Sequence, residues 1–227
     1  MTTRMVKQHA WNLSPSEAIS VQEKLAGEIQ LRPLPVRAQF VAGVDCAYAP
    51  AREEIICSAV LCSWPELDMR EVQTVRQSCT FPYVPGLLSF REAPCVIAAL
   101  QQLSTPPELV LCDGQGIAHP RGLGLAAHVG LRLQIPTVGV AKKRLCGEYR
   151  MPGHKRGCAT QLRVNGEVVG KVVRTRDKVK PLFVSPGHLA DIARSVRWTI
   201  KTARRYRLPE PVRLAHISVT TARKSIR

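Results

Sequence analysis

The chain has 227 residues, 45% of them hydrophobic, enough to bury roughly 70% of the unfolded surface in one core, so a single domain spanning residues 1–227 is expected. Lys and Arg number 33 against 17 Asp and Glu, a formal charge of +16, and that excess calls for a polyanionic partner, since each cation placed on a phosphate releases condensed counterions. No apolar stretch approaches the roughly 18 residues of a spanning helix, and residues 1–11 lack the apolar core of a secretory signal, so no membrane partner and a cytoplasmic setting are expected.

Residues 14–29 open with Ser-Pro-Ser-Glu, and Ala18, Val21, Leu25 and Ile29 recur every three or four positions, which predicts an amphipathic helix capped by Ser14. Strands are predicted over 40–47, 55–62 and 72–79, and the short breaks between them favour antiparallel neighbours. A helix over 89–103, a wholly apolar strand over 109–112, a helix over 123–133 and a strand over 137–140 then follow. Apolar strands joined by a crossover helix predict buried parallel pairing. Asn165-Gly166 is a hairpin turn between 161–164 and 168–174. A last strand is expected over 182–185 and a last helix over 190–204, with a frayed, basic tail from about residue 218. The fold class is therefore α/β, and an antiparallel meander followed by parallel strands, flanked by helices, is the order of ribonuclease H-like mixed sheets, a step made by analogy.

Eight cysteines sit singly, most of them inside apolar runs and none in a CxxC pair, so reduced thiols are expected rather than zinc ligands or disulfides. No Gly-x-x-x-x-Gly-Lys-Ser/Thr loop is present to cradle a nucleoside triphosphate.

Three acids stand out by position. Asp45 lies inside the apolar run 40–47, Asp113 ends the run 109–112, and Glu92 follows residues 87–91. A carboxylate within or at the end of a buried strand is costly unless it is paired or bound to a cation. Pairing with Arg91 or Lys142 accounts for any one acid alone. Two acids on neighbouring central strands, at the edge where α/β sheets place their sites, favour a cation. Mg²⁺ suits such a set because it prefers carboxylates and retains waters that can meet phosphate oxygens.

The runs Pro82-Tyr83-Val84-Pro85-Gly86-Leu87-Leu88-Ser89-Phe90-Arg91-Glu92 and Asp113-Gly114-Gln115-Gly116-Ile117-Ala118-His119-Pro120-Arg121 closely resemble signatures of the endonuclease V family. So do Gly43-Val44-Asp45 and Gly139-Val140-Ala141-Lys142-Lys143-Arg144-Leu145, and the likeness extends from about 40 to 216. The resemblance implies a ribonuclease H-like deoxyribonuclease of DNA repair, using Mg²⁺ or Mn²⁺ to cut the second phosphodiester 3′ to deoxyinosine, with damaged DNA as partner and no obligate protein partner. Carried over by motif, Asp45 and Asp113 are direct metal ligands, Glu92 acts on the metal or through its water, and Lys142 contacts the scissile phosphate or its water. His216 matches a position held by His or Asp and would polarise water or bind metal. Gly86, Leu88, Gly114 and Leu125 would surround the base, with Arg91 and His119 on the nucleic acid and His128 structural or at a phosphate.

Gln115 stands where the family usually has His, and Gly122 where it often has Arg, departures expected to act on hydrogen bonds and phosphate affinity rather than on the acids. Tyr83, bracketed by Pro82 and Pro85, forms a stiff aromatic tip suited to enter a base stack. Residue composition alone would equally bury it in the core. Inosine differs from adenine in an O6 acceptor and an N1–H donor, which backbone groups at Gly86 and Gly114 are placed to read. An inosine-directed endoribonuclease is the alternative within the same chemistry, and a ribonuclease H-like enzyme acting on hybrid duplexes would not need the wedge. A non-catalytic binding module would not need buried acids that repel phosphate.

Overall fold

The computed structural model describes residues 9–225, so the first part of the segment read above as lacking a signal core lies outside them. In chain order the elements are α1 (Pro15–Ala26), β1 (Phe40–Ala49), β2 (Glu54–Ser63), β3 (Met69–Ser78), α2 (Leu88–Gln101), β4 (Leu109–Cys112), α3 (Leu125–Leu133), β5 (Thr137–Ala141), β6 (Glu148–Tyr149), β7 (Ala159–Val164), β8 (Glu167–Val173), β9 (Leu182–Pro186), α4 (Ile192–Thr202) and α5 (Glu210–Lys224). Nine strands form one mixed sheet in the order β3-β2-β1-β4-β5-β9-β8-β7-β6. The meander β1-β2-β3 is antiparallel, β1, β4 and β5 are parallel, and β9, β8, β7 and β6 return antiparallel.

Period-two alternation divides the core between the two faces of the sheet. On β4, Val110 and Cys112 pack with Val96 of α2 and Val129 of α3, whereas Leu109 and Leu111 pack with Trp198 of α4 and Val212 of α5. Every residue of β4 and β5 is buried, as both faces are covered by helices. β3, at the sheet edge, alternates between half-buried and exposed positions and carries Arg70, Glu71 and Arg76, charges that discourage pairing with another chain.

α1 starts with a complete capping box: the Ser14 hydroxyl accepts from the Glu17 N–H while the Glu17 carboxylate accepts from the Ser14 N–H. The hairpin expected at Asn165-Gly166 joins β7 to β8, with both turn residues at positive φ. Two expectations are corrected. The tail expected to fray from residue 218 is helical to Lys224, because Val212, Ala215 and Val219 bury one face of α5 against the sheet. The two-residue β6 had no counterpart among the predicted strands.

Gly43 permits that packing. Any Cβ at this position of β1 would fall on the backbone carbonyl of Pro211, so α5 lies directly against the strand's main chain.

Candidate active site at the sheet edge

β4 ends level with Val44, in the middle of β1, and β5 ends close by at Ala141; the chemistry-bearing side chains stand there. Val44 of β1 pairs with Cys112 of β4, and the Asp113 N–H continues the ladder by donating to the Val44 carbonyl at 3.1 Å. This register places Asp45 and Asp113 on neighbouring strands at one level. Lys142 directly follows β5, the next strand over, and its ammonium forms an ion pair with Asp113 Oδ2. α5 brings His216 to the other flank, where Nδ1 lies 2.6 Å from Asp45 Oδ2. Glu92 arrives from α2.

These groups act on one another electrostatically. Burial, then the charge of Asp113, raise the Asp45 carboxyl above its ordinary range, although the His216 contact opposes them. Glu92 is pushed up to about 8, by burial first and then by Asp45 and Asp113. Three carboxyl groups thus face one ammonium and one imidazole, and no ion pair among the described residues relieves Glu92. A surplus of hard oxygen donors of this kind fits a divalent cation such as Mg²⁺ or Mn²⁺ better than zinc. Among the described residues no group of three or more His, Cys, Asp or Glu stands close enough to hold a metal ion by itself.

A cleft of about 500 Å³ joins this cluster to a loop. Asp45, Glu92, Asp113 and Lys142 line it, and so do Gly86, Leu88, Gly114 and Leu125 together with Tyr83 and His119. Tyr83 is 72% exposed, at the cleft rather than in the core, the position required of a wedge. Arg91 does not line the cleft: one guanidinium nitrogen donates to the Phe81 carbonyl at 2.8 Å and the group lies 4.1 Å over the Tyr48 ring.

The loop is held through Gly86, whose φ of +81° suits only glycine at low cost. Its carbonyl accepts from His119 Nε2 at 2.9 Å, Gln22 at 3.0 Å and Arg121 at 3.0 Å. The Arg121 N–H donates to His119 Nδ1, so the proton on His119 sits on Nε2, and burial and Arg121 push its pKa down to about 4. Three donors saturate that carbonyl, and it is not free to read a base edge as the sequence had led us to expect. His119 is a brace of the loop. His128, fully buried, bonds Ser89 at 3.1 Å and His9 at 2.9 Å and is likewise internal.

Sequence reading missed three contributors. Gln22 was detectable as a polar residue on the apolar face of α1, where it is fully buried. Arg121 bonds Gln22 at 2.5 Å and braces the same carbonyl. Arg207, far along the chain, donates to the carbonyls of Lys142 (3.0 Å), Lys180 (2.7 Å) and Pro181 (2.8 Å), and no local signal marks it. Gln115 adds a second hold on the same segment, its Nε2 donating to the Lys143 carbonyl at 3.0 Å while Oε1 is buried without a partner.

A mixed sheet flanked by helices, with acids from β1, β4 and α2 collected at the ends of its parallel strands, defines a nuclease of the ribonuclease H-like fold. The model of the endonuclease V family matches residues 23–217. Endonuclease V from Gloeobacter violaceus is 46% identical over 222 residues, covering 96% of this chain and 89% of that protein. The crystal structure of the Streptomyces avermitilis endonuclease V superposes with a TM-score of 0.91 at 40% identity, covering 98% of this chain and 99% of that one. That of Ciona intestinalis endonuclease V, in complex with DNA containing an inosine followed by a ribo-adenosine, gives 0.81 at 26% identity over 93% of this chain and 98% of that one. The chain belongs to the endonuclease V family and is a nuclease that hydrolyses DNA.

Proposed function

We propose that this protein recognises deoxyinosine, the product of adenine deamination, and hydrolyses the second phosphodiester 3′ to it in DNA repair. The observation that carries the reading is one cleft lined both by a braced loop tipped by exposed Tyr83 and by a carboxylate cluster drawn from two strands and a helix. A base held at the loop end and a phosphate held at the acid end would be separate points on one strand, which accounts for cutting away from the lesion. The inosine-containing DNA bound by the Ciona relative supports the same substrate.

Asp45 and Asp113 would hold Mg²⁺, with Glu92 acting through its water. When bound, the cation lowers the pKa of water and neutralises charge on the phosphate. Lys142, set on Asp113 and held from behind by Arg207, is placed to offer its ammonium to a phosphate oxygen. His216, half exposed on Asp45, would orient or deprotonate the attacking water. Tyr83 would fill the gap left by an unstacked base, a step that costs a few kcal/mol and less at a poorly paired base. A cytoplasmic setting suits the cysteines, all of them free.

The test offers matched DNA and RNA oligonucleotides with one inosine or none. Mg²⁺-dependent nicking beside inosine in DNA is the expected result; cutting that ignores inosine would refute the reading. The ribonucleotide in the Ciona complex makes inosine-containing RNA the second substrate to measure.

A further inference from the structure

The strand order that gathers the acids also gathers exposed bases on the other half of the same sheet edge. Ala141 of β5 pairs with Phe183 of β9, so Lys180 and Pro181, just before β9, lie beside Lys142. Leu182 pairs with Val173, the last residue of β8, so Arg174 to Arg176 continue along that edge. Val173 pairs with Ala159, the first residue of β7, which brings Lys155 and Arg156 next in line.

These bases divide into two kinds. Arg207, Arg174 and Arg156 are turned onto backbone carbonyls and staple the loops together. Arg174 reaches those of Gly153, Pro152 and Val179, and Arg156 those of Thr175, Ile200 and Ala203. Thr175 donates to the Arg207 carbonyl, and the Lys178 N–H to that of His154, closing the network. Lys155, Arg176, Lys178 and Lys180 are exposed on this stapled frame, and among the described residues none of them enters an ion pair. The acid among them, Asp177, accepts from the Arg156 N–H at 2.6 Å.

Such a row presents unpaired cations on loops already ordered, so an incoming polyanion would bear little of the cost of arranging them. We propose that Lys155, Arg176, Lys178 and Lys180 form a backbone-binding track for the nucleic-acid strand leaving the cleft past Lys142. This rests on the proposed function for its polarity. With the base at the Gly86 end and the cut at the acid end, a strand continuing past Lys142 is the one 3′ to the nick. The track contacts phosphates and carries no sequence or lesion information.

The experiment measures binding of inosine duplexes extended only on the 3′ side, or only on the 5′ side, against salt, for wild type and for a variant combining Lys155→Gln, Arg176→Gln, Lys178→Gln and Lys180→Gln. On the 3′-extended duplex the slope of log K against log salt should lessen by about 3 to 4 in the variant, as each of the four lost phosphate contacts removes about 0.9. Affinity there should drop roughly tenfold or more at low salt, while binding and nicking of a duplex trimmed on the 3′ side stay at wild-type level, which also shows that the variant folds. An unchanged slope, or the same loss on the 5′-extended duplex, overturns the track. Nicking that ignores inosine in both proteins, with the slope still falling, leaves the track standing and removes the proposed substrate instead.

Discussion

The two halves of one sheet edge carry opposite charge in opposite environments. On the β1-β4 half, Asp45 and Asp113 are each 11% exposed, and burial together with neighbouring acids makes Asp45 and Glu92 hold their protons more tightly. On the β9-β8-β7 half, Lys155, Arg176, Lys178 and Lys180 project into solvent from loops stapled by arginines. Recessed charges interact strongly with whatever neutralises them, whereas exposed charges are screened within about 10 Å at ordinary salt. Loss of one acid should therefore be all-or-none, and loss of one base graded and salt-dependent.

The largest effect should come from Asp113→Ala. Nicking of an inosine oligonucleotide in Mg²⁺ should fall by roughly a thousandfold or more, about 4 kcal/mol of transition-state stabilisation, with binding retained. Wild-type activity in that variant would break the contrast between the halves. Arg207→Gln probes their junction, where one guanidinium spans the backbones of Lys142, Lys180 and Pro181. Misplacing Lys142 by about an ångström should lower kcat up to roughly a hundredfold with KM little changed. Arg207→Lys should fail to rescue, since one ammonium does not reproduce the planar fork; full rescue would demote the staple to a simple charge.

Gly43→Ala would force α5 off β1 and carry His216 away from Asp45, at a cost of about 1–3 kcal/mol read as a lower melting temperature. Unchanged stability would mean that the helix gives way freely. Tyr83→Ala, at an exposed tip, should alter stability by no more than about 0.5 kcal/mol while reducing the preference for inosine over adenine several-fold. Equal discrimination in competition assays would remove the wedge.

A further effect lies away from this edge. His188 is buried and its pKa is pushed down from 6.5 to about 4, so the unfolded chain takes up a proton there that the folded chain refuses. Its contribution to stability is full above pH 6.5 and declines as pH falls toward 4. Measured as the urea-midpoint difference between wild type and His188→Asn, which cancels opposing groups such as Glu92, the wild-type value should lose ground between pH 7.5 and 4.5. A constant difference would mean that the imidazole titrates normally.

Much of this architecture was legible because local signals agreed with the fold. The capping box announced α1, alternation and apolar runs announced the strands, and Asn165-Gly166 announced its hairpin. α5 escaped because Pro209 and Pro211 interrupt the helical pattern of the sequence, although proline is tolerated in a helix's first turn, and because its apolar face is thin in an otherwise basic stretch. The acids were conspicuous as charges in hydrophobic surroundings, a contradiction visible without coordinates.

From residue order alone came the class of fold, the positions of Asp45, Glu92 and Asp113, and the stiffness of the Pro82–Pro85 tip, since propensity, periodicity and charge burial are local properties. Only the tertiary structure decided that the Gly86 carbonyl is spent on Gln22, His119 and Arg121, that Arg207 holds Lys142, and that bases from three separate loops share one edge with the acids. Those facts depend on strand order and register, which bring together residues up to 171 positions apart, as in His216 on Asp45, and no short stretch of chain records them.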